Sequence, residues 1–339
     1  MKSKLLLLYT GGTIGMHKNS SGELIPFDFN DLLRHIPELE LLPYEIDHTA
    51  FEKPVDSSDI TPGHWVEMAQ TIYEHYEDYD GFVVLHGTDT MAYSASALSF
   101  MLENLNKPVV FTGSQLPIGD LRTDAKENII TSLEIAGSYE NGIPLVPEVS
   151  LYFEYKLMRG NRTVKISSEH FNAFASPNYP VLCEAGVELE FYKERILPYK
   201  KDLFRIFTDM DNRVVILKLF PGISRDYVQA VLQIPDLKAV VLESFGSGNA
   251  PRLKWLVEEL EKAISSGIKI VNITQCLEGS VAPERYETGK HLKEIGVISG
   301  GDMTTEASVA KISYLLGKGV SDKTFRRVMG QSLRGEITE

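Results

Sequence analysis

Residues 5–15 read Leu5-Leu6-Leu7-Leu8-Tyr9-Thr10-Gly11-Gly12-Thr13-Ile14-Gly15. Four consecutive leucines show no two-residue alternation, so the run predicts a short strand buried on both faces, as in a parallel sheet. The run is too short for the apolar region of a secretory leader, and no small-residue cleavage site follows at the right distance. The paired glycines allow a tight bend at the strand's carboxyl end and close approach of backbone N–H groups to a ligand. Taken alone, the segment is a tight turn with a threonine cap. Its spacing matches neither a dinucleotide nor a phosphate-binding glycine loop.

The same alternation continues outward from this point. Phe82 to Leu85, Val109 to Phe111 and Val149 to Phe153 are further apolar runs. Between them, residues 62–76 place Trp65, Met68, Ala69, Ile72, Tyr73 and Tyr76 at helical spacing behind Thr61-Pro62, a cap and a first-turn proline. Residues 124–137 repeat the pattern with Ala125, Ile129, Leu133 and Ala136. The pattern fades from about 154 to 212, then resumes. Strands are expected at Val214 to Leu219, Ala239 to Leu242, Ile268 to Ile273 and Val297-Ile298, with helices at 224–233, 252–266 and 304–317. The expected fold is α/β: a larger N-terminal domain with a doubly wound, mostly parallel sheet, plus a smaller C-terminal α/β domain. The boundaries are placed at 1–190, a linker at 191–212 and 213–339. A length of 339 residues supports two cores rather than one.

Composition narrows the function. A formal charge of −13 repels a polyanion, so nucleic acid is not the expected partner. No stretch approaches the roughly 18 apolar residues of a membrane span. Cys183 and Cys276 stand apart, outside any metal-binding spacing, and read as two small buried side chains in a reducing compartment. The expected address is the cytoplasm.

Three further segments carry chemistry. His86-Gly87-Thr88-Asp89-Thr90 follows the strand ending at Leu85 and opens a helix-like run, Met91 to Leu102. Asp89 there is either an N-cap or a carboxylate able to hold an ammonium. His86 lacks the nucleophile elbow of a serine triad and reads as a structural hydrogen-bonder. Asp56-Ser57-Ser58-Asp59 precedes the helix capped by Thr61; it is a turn, or a place where hydroxyls and N–H groups receive a carboxylate. Lys165, in Arg159-Gly160-Asn161-Arg162-Thr163-Val164-Lys165, is a surface lysine unless drawn partly out of water, where it can serve as a base.

In this order the segments resemble the L-asparaginase family, and more closely its bacterial cytoplasmic type I members. GSQLP (113–117), FASPN (174–178), GSGNAP (246–251), ITQC (273–276), GGDMT (300–304) and LRGE (333–336) extend the resemblance through the chain. It implies hydrolysis of L-asparagine to L-aspartate and ammonia, with weaker glutaminase activity as an option. Thr13 would be the nucleophile, forming a β-aspartyl ester. Thr88 and Lys165 would assist the water that releases it, with Asp89 orienting them. Asp89 would also bind the substrate ammonium, and Ser57 and Ser58 its carboxylate. The N–H groups of Thr13 and Thr88 would face the oxyanion, and the Ser114 carbonyl would receive ammonia. Neither metal nor organic cofactor is implied. A homodimer or homotetramer is, with Asn249 contributed from a partner chain.

Three positions depart from the family pattern. Met16 to Phe29 lacks the tyrosine that helps activate the nucleophile, and Leu24 stands in its place. That leaves Lys165 acting through Thr88, or a tyrosine from elsewhere. Glu243 and Val164 replace an arginine and a threonine of the separate asparagine site that some type I enzymes carry. The acidic residue that periplasmic relatives supply from a neighbouring subunit has only Glu284 and Glu287 as candidates. Two rival readings share the scaffold. One is the asparaginase-like subunit of a transfer-RNA-dependent amidotransferase, disfavoured by the charge and by a chain opening directly on its first strand. The other is a non-catalytic amino-acid binding protein.

Overall fold

The leucine run becomes the centre of a sheet. In the computed structural model, which describes residues 2–18, 24–26, 35–282, 284 and 287–339 (side chains of 16–18, 24–26, 287 and 288 excepted), the chain forms two compact units, Met1–Thr208 and Asp209–Glu339. The first unit holds β1 (Lys4–Tyr9), β2 (Glu45–Ala50), α1 (Pro62–Glu74), β3 (Gly81–Leu85), α2 (Met91–Met101), β4 (Val109–Thr112), α3 (Ala125–Ala136) and β5 (Val149–Phe153). It continues through β6 (Lys156–Arg159), β7 (Cys183–Ala185) and β8 (Leu189–Phe191). Sheet order is β8-β7-β6-β5-β4-β3-β1-β2. The five strands from β5 to β2 are parallel, and β6, β7 and β8 add antiparallel pairs at one edge.

The two faces bury alternate residues. Leu5, Leu7, Tyr9, Val83, Leu85 and Val110 pack with Ala125, Ile129, Leu133 and Ala136 of α3. Leu6, Leu8, Phe82, Val84 and Phe111 point the other way and are equally buried. Each such leucine contributes about 2 kcal/mol by leaving water. On that second side Tyr76 stacks on Phe82 and on Phe204. Tyr73, expected on the buried face of α1, is instead 51% exposed. Among the described residues no helix is long and apolar enough to cross a membrane.

Strand register sets the position of every loop that matters. Tyr9 sits opposite both Ala50 and Leu85, so β1, β2 and β3 end level. The pairing continues one step into the loops: Thr10 N–H donates to Leu85 O, Val55 N–H to Thr10 O and His86 N–H to Thr112 O. The chain runs from β1 to β2 on one side, then crosses to β3 on the other. This reversal opens a crevice at the carboxyl ends of β1 and β3.

The second unit holds β9 (Val214–Lys218), α4 (Arg225–Leu232), β10 (Ala239–Ser244), α5 (Lys254–Ser265), β11 (Lys269–Thr274), α6 (Glu287–Glu294), β12 (Ile298–Ser299), α7 (Thr305–Gly317) and α8 (Asp322–Met329). Its four strands are parallel in sequence order. Thr304 caps α7 by accepting from Ala307 N–H, as its position ahead of the apolar stripe predicts. Within α7, Lys311 is fully buried and meets Glu336 at 2.6 Å, also fully buried. Lys311 further donates to the Met329 and Gln331 carbonyls, and Glu336 accepts from Leu333 and Arg334 N–H. Burial lowers the Lys311 pKa, and Glu336 opposes that shift.

The connection read at 191–212 is not a bare linker. Residues up to 208 cluster with the first unit, and Arg205–Ile206 pairs with Leu102–Glu103. The cysteines also differ from expectation. Cys183 is buried, its thiol pushed up to about 12 by burial, but Cys276 is exposed.

Candidate active site

Four loops meet above the level strand ends. The first bends at Gly11 and Gly12, with φ of 129° and 91°, conformations that a side chain would strain. A Cβ at Gly12 would stand 2.4 Å from Gly87 Cα, and one at Gly87 would stand 2.6 Å from Ser57 Oγ. The backbones of the TGGT and HGTDT turns are therefore in direct contact, with Ser57 of the DSSD turn against Gly87 and Val55, just before that turn, against Gly11. Thr13, half-buried, opens the short 3-10 turn Thr13–Gly15 immediately after this contact. Tyr9 lies beneath it, its hydroxyl donating to Gly15 O at 3.3 Å. Burial raises the Tyr9 phenol to about 12.

Thr88 and Asp89 stand at the carboxyl end of β3. Lys165 Nζ donates to Thr88 Oγ1 at 2.9 Å and pairs with Asp89 Oδ1 at 2.5 Å. The lysine is drawn in because the turn Gly160–Arg162 packs on α2, the helix that this same loop opens. A Cβ at Gly160 would lie 3.2 Å from Ala95 Cβ. Lys165 is 17% exposed and Asp89 is 64% exposed, so the carboxylate faces outward with the ammonium behind it. Asp89 does not cap α2; Thr90 occupies that position.

His86 is a structural hydrogen-bonder. The Trp65 indole donates to Ser94 Oγ, Ser94 lies 2.9 Å from His86 Nε2, and His86 Nδ1 lies 2.7 Å from Gly87 O. A carbonyl can only accept, so Nδ1 carries the proton and Ser94 donates to Nε2. Burial lowers the imidazole pKa to about 4, which keeps it neutral.

The two serines of the DSSD turn diverge. Ser57 is buried, and its hydroxyl accepts from Asp89 N–H at 3.3 Å. Ser58 is exposed, and both its N–H and hydroxyl donate to Asp56 Oδ1. Ser114 is buried in the fourth loop, donating to Leu116 O, while Asp124 accepts from the N–H groups of Gln115 and Leu116. Burial raises the Asp124 pKa. Asn249 is half-buried in the second unit, bridging Phe245. Glu284 is exposed and pairs with Lys293. The Leu24 and Glu287 side chains, and much of the segment Met16 to Phe29, lie outside the described residues.

Two polar residues escaped the sequence reading. Gln115 accepts from Thr88 Oγ1 at 3.3 Å and donates to His170 O at 3.0 Å. Thr90 donates to Ser57 O at 2.7 Å. Both sit inside motifs already singled out, GSQLP and HGTDT, which is the signal that could have found them.

The chain that carries this arrangement of hydroxyls, a lysine and an outward-facing carboxylate has relatives along its full length. A family model for the N-terminal domain of asparaginases matches residues 4–197, and one for the glutaminase/asparaginase C-terminal domain matches 213–329. L-asparaginase 1 of Escherichia coli (strain K12) is 44% identical over 340 residues, covering 99% of this chain and 98% of that one. The 60 kDa lysophospholipase of Mus musculus is also 44% identical, covering 99% of this chain but 62% of its own length. The crystal structure of L-asparaginase I from Vibrio cholerae superposes with a TM-score of 0.90 at 40% identity, covering all of both chains. The chain belongs to the asparaginase family.

Proposed function

We propose that the protein hydrolyses L-asparagine to L-aspartate and ammonia through a β-aspartyl ester on Thr13. The observation that carries this reading is the Lys165–Thr88–Asp89 cluster, set beside the Thr13 turn by the Gly12–Gly87 contact. The Thr13 hydroxyl adds to the side-chain amide carbon, the C–N bond breaks, and the hydroxyl proton leaves with ammonia. Water then adds to the ester and Thr13 recovers its proton. Lys165, within reach of the Thr88 hydroxyl and Asp89, relays protons in the second step. Backbone N–H groups at Thr13 and Thr88 stabilise the oxyanions, each worth about 3 kcal/mol.

Asp89 is suited to the substrate ammonium because it is exposed and already orients a cation. Ser57 suits the α-carboxylate: its oxygen accepts from Asp89 N–H, which leaves its own proton to donate. Ser58, committed to Asp56, contributes little. Ser114 is assigned to the departing ammonia and Asn249 to a site completed by a partner chain, in a cytoplasmic homodimer or homotetramer. A purified sample releasing ammonia from asparagine faster than from glutamine, with Thr13→Ala losing at least about 10³-fold, is the expected result. A Thr13→Ala form as fast as the parent refutes the nucleophile.

A further inference from the structure

The catalytic turn and the carboxylate-binding turn come from different strands, and one side chain links them. Thr90 is the N-cap of α2, where a threonine hydroxyl ordinarily accepts from an N–H of the first turn. Here it makes no such bond. It donates instead to Ser57 O at 2.7 Å, across 33 residues of chain. That carbonyl also accepts from Ile60 N–H at 3.3 Å, so both donors together fix the plane of the peptide following Ser57. From the other side, Asp89 N–H donates to Ser57 Oγ at 3.3 Å, and Gly87 leaves no room for a Cβ against the Ser57 side chain. Ser57 is thus gripped at its carbonyl, its hydroxyl and its Cβ by three residues of the HGTDT turn, Thr90, Asp89 and Gly87. Of those three contacts, only the one from Thr90 is made by a side chain.

We infer that Thr90 is a positioning residue for substrate binding: through the Ser57 carbonyl it aims the Ser57 hydroxyl at the α-carboxylate of the bound amino-acid amide. This rests on the reading that Ser57 receives that carboxylate. Thr90 touches no substrate atom and takes no part in bond making.

Steady-state kinetics of Thr90→Val, Thr90→Ser and Ser57→Ala tests it, with two substrates: L-asparagine and 3-aminopropanamide, which has no α-carboxylate. Valine keeps the shape and removes the hydroxyl, and no cap bond is lost because none exists. For asparagine, Thr90→Val should raise KM about 10-fold, the effect of one misaimed hydrogen bond, with a smaller change in kcat. Thr90→Ser restores KM. For 3-aminopropanamide the same variant should change kcat/KM by less than about 3-fold, because no carboxylate is there to miss. An unchanged KM for asparagine in Thr90→Val overturns the inference. So does an equal loss on both amides, or failure of serine to rescue, since general damage to the fold gives those results. Ser57→Ala separates the two levels. If it raises KM and Thr90→Val does not, the Ser57 reading stands and the Thr90 role falls. If Ser57→Ala leaves KM unchanged, the reading falls and the inference with it.

Discussion

The contact between Gly12 and Gly87 offers a demanding test of how the site is built. In Gly12→Ala the new Cβ would stand 2.4 Å from Gly87 Cα and 2.5 Å from Gly87 N. Carbon atoms approach comfortably to about 3.5 Å, so the turns must part by roughly 1 Å. Neither partner can rotate away, because both are backbone. Gly12 also has φ of 91°, which adds about 1–2 kcal/mol of left-handed strain for alanine. Gly142→Ala controls for that term: its φ is 79°, but its Cβ would meet nothing within 4 Å. In urea unfolding Gly142→Ala should lose about the strain alone, and Gly12→Ala more, because the clash with Gly87 adds to it. A displacement near 1 Å at a reacting centre costs about 100-fold, so kcat/KM for asparagine should fall by that factor in Gly12→Ala and stay within about 2-fold in Gly142→Ala. A folded Gly12→Ala enzyme with parental kcat/KM would refute the claim that the two turns must touch for the reaction to proceed.

Removing the buried countercharge in Lys311→Met leaves Glu336 uncompensated and should cost about 3–5 kcal/mol, read as a lower urea midpoint; a loss under about 1 kcal/mol would mean water reaches the pair. His86 makes stability depend on acidity. Unfolded, it binds a proton near 6.5; folded, only near 4. Its contribution is therefore whole above pH 6.5 and falls by about 3 kcal/mol as pH drops towards 4, a slope that His86→Gln should remove in unfolding curves at several pH values. Glu243 accepts from Thr305 Oγ1 at 2.7 Å and lies 3.4 Å from Lys218, and Val164 is buried. A carboxylate and a methyl surface do not bind an amino-acid carboxylate, so asparagine saturation should be hyperbolic, and a clearly sigmoidal curve would count against this.

Much of the scaffold is legible because strand and helix burial is periodic. Val149–Phe153 falls where its apolar run places it, and Ala125, Ile129, Leu133 and Ala136 are all fully buried on α3. The edges were harder. β2 is a mostly exposed strand, Glu45–Ala50, whose residues look polar because only its pairing with β1 holds it. β7 and β8 are three residues each, too short for a period to register. Helix α8, Asp322–Met329, buries only Phe325 and Met329 amid charges. At the site, the sequence names the right turns but not the direction of each side chain. Successive residues of a 3-10 turn diverge by about 120°, so nothing local says that Ser57 turns inward and Ser58 outward. Asp89, not Thr90, is the cap that the sequence suggests, and the Thr90 bond to Ser57 exists only once β3 stands two strands from β2.

The level ends of β1, β2 and β3 also bear on how activity is gained. Thr13, Ser57 and Thr88 span 76 positions of sequence and become neighbours through parallel pairings, whose long loops close slowly, and Lys165 joins them when the turn Gly160–Arg162 packs on α2. The hydrogen bonds of helices α1, α2 and α3 are local, so helical structure can form ahead of those pairings. During renaturation from urea, ellipticity should therefore return ahead of turnover, and a half-assembled sheet should give no fractional catalysis. Enzymatic competence in this molecule reports completion of the whole N-terminal sheet.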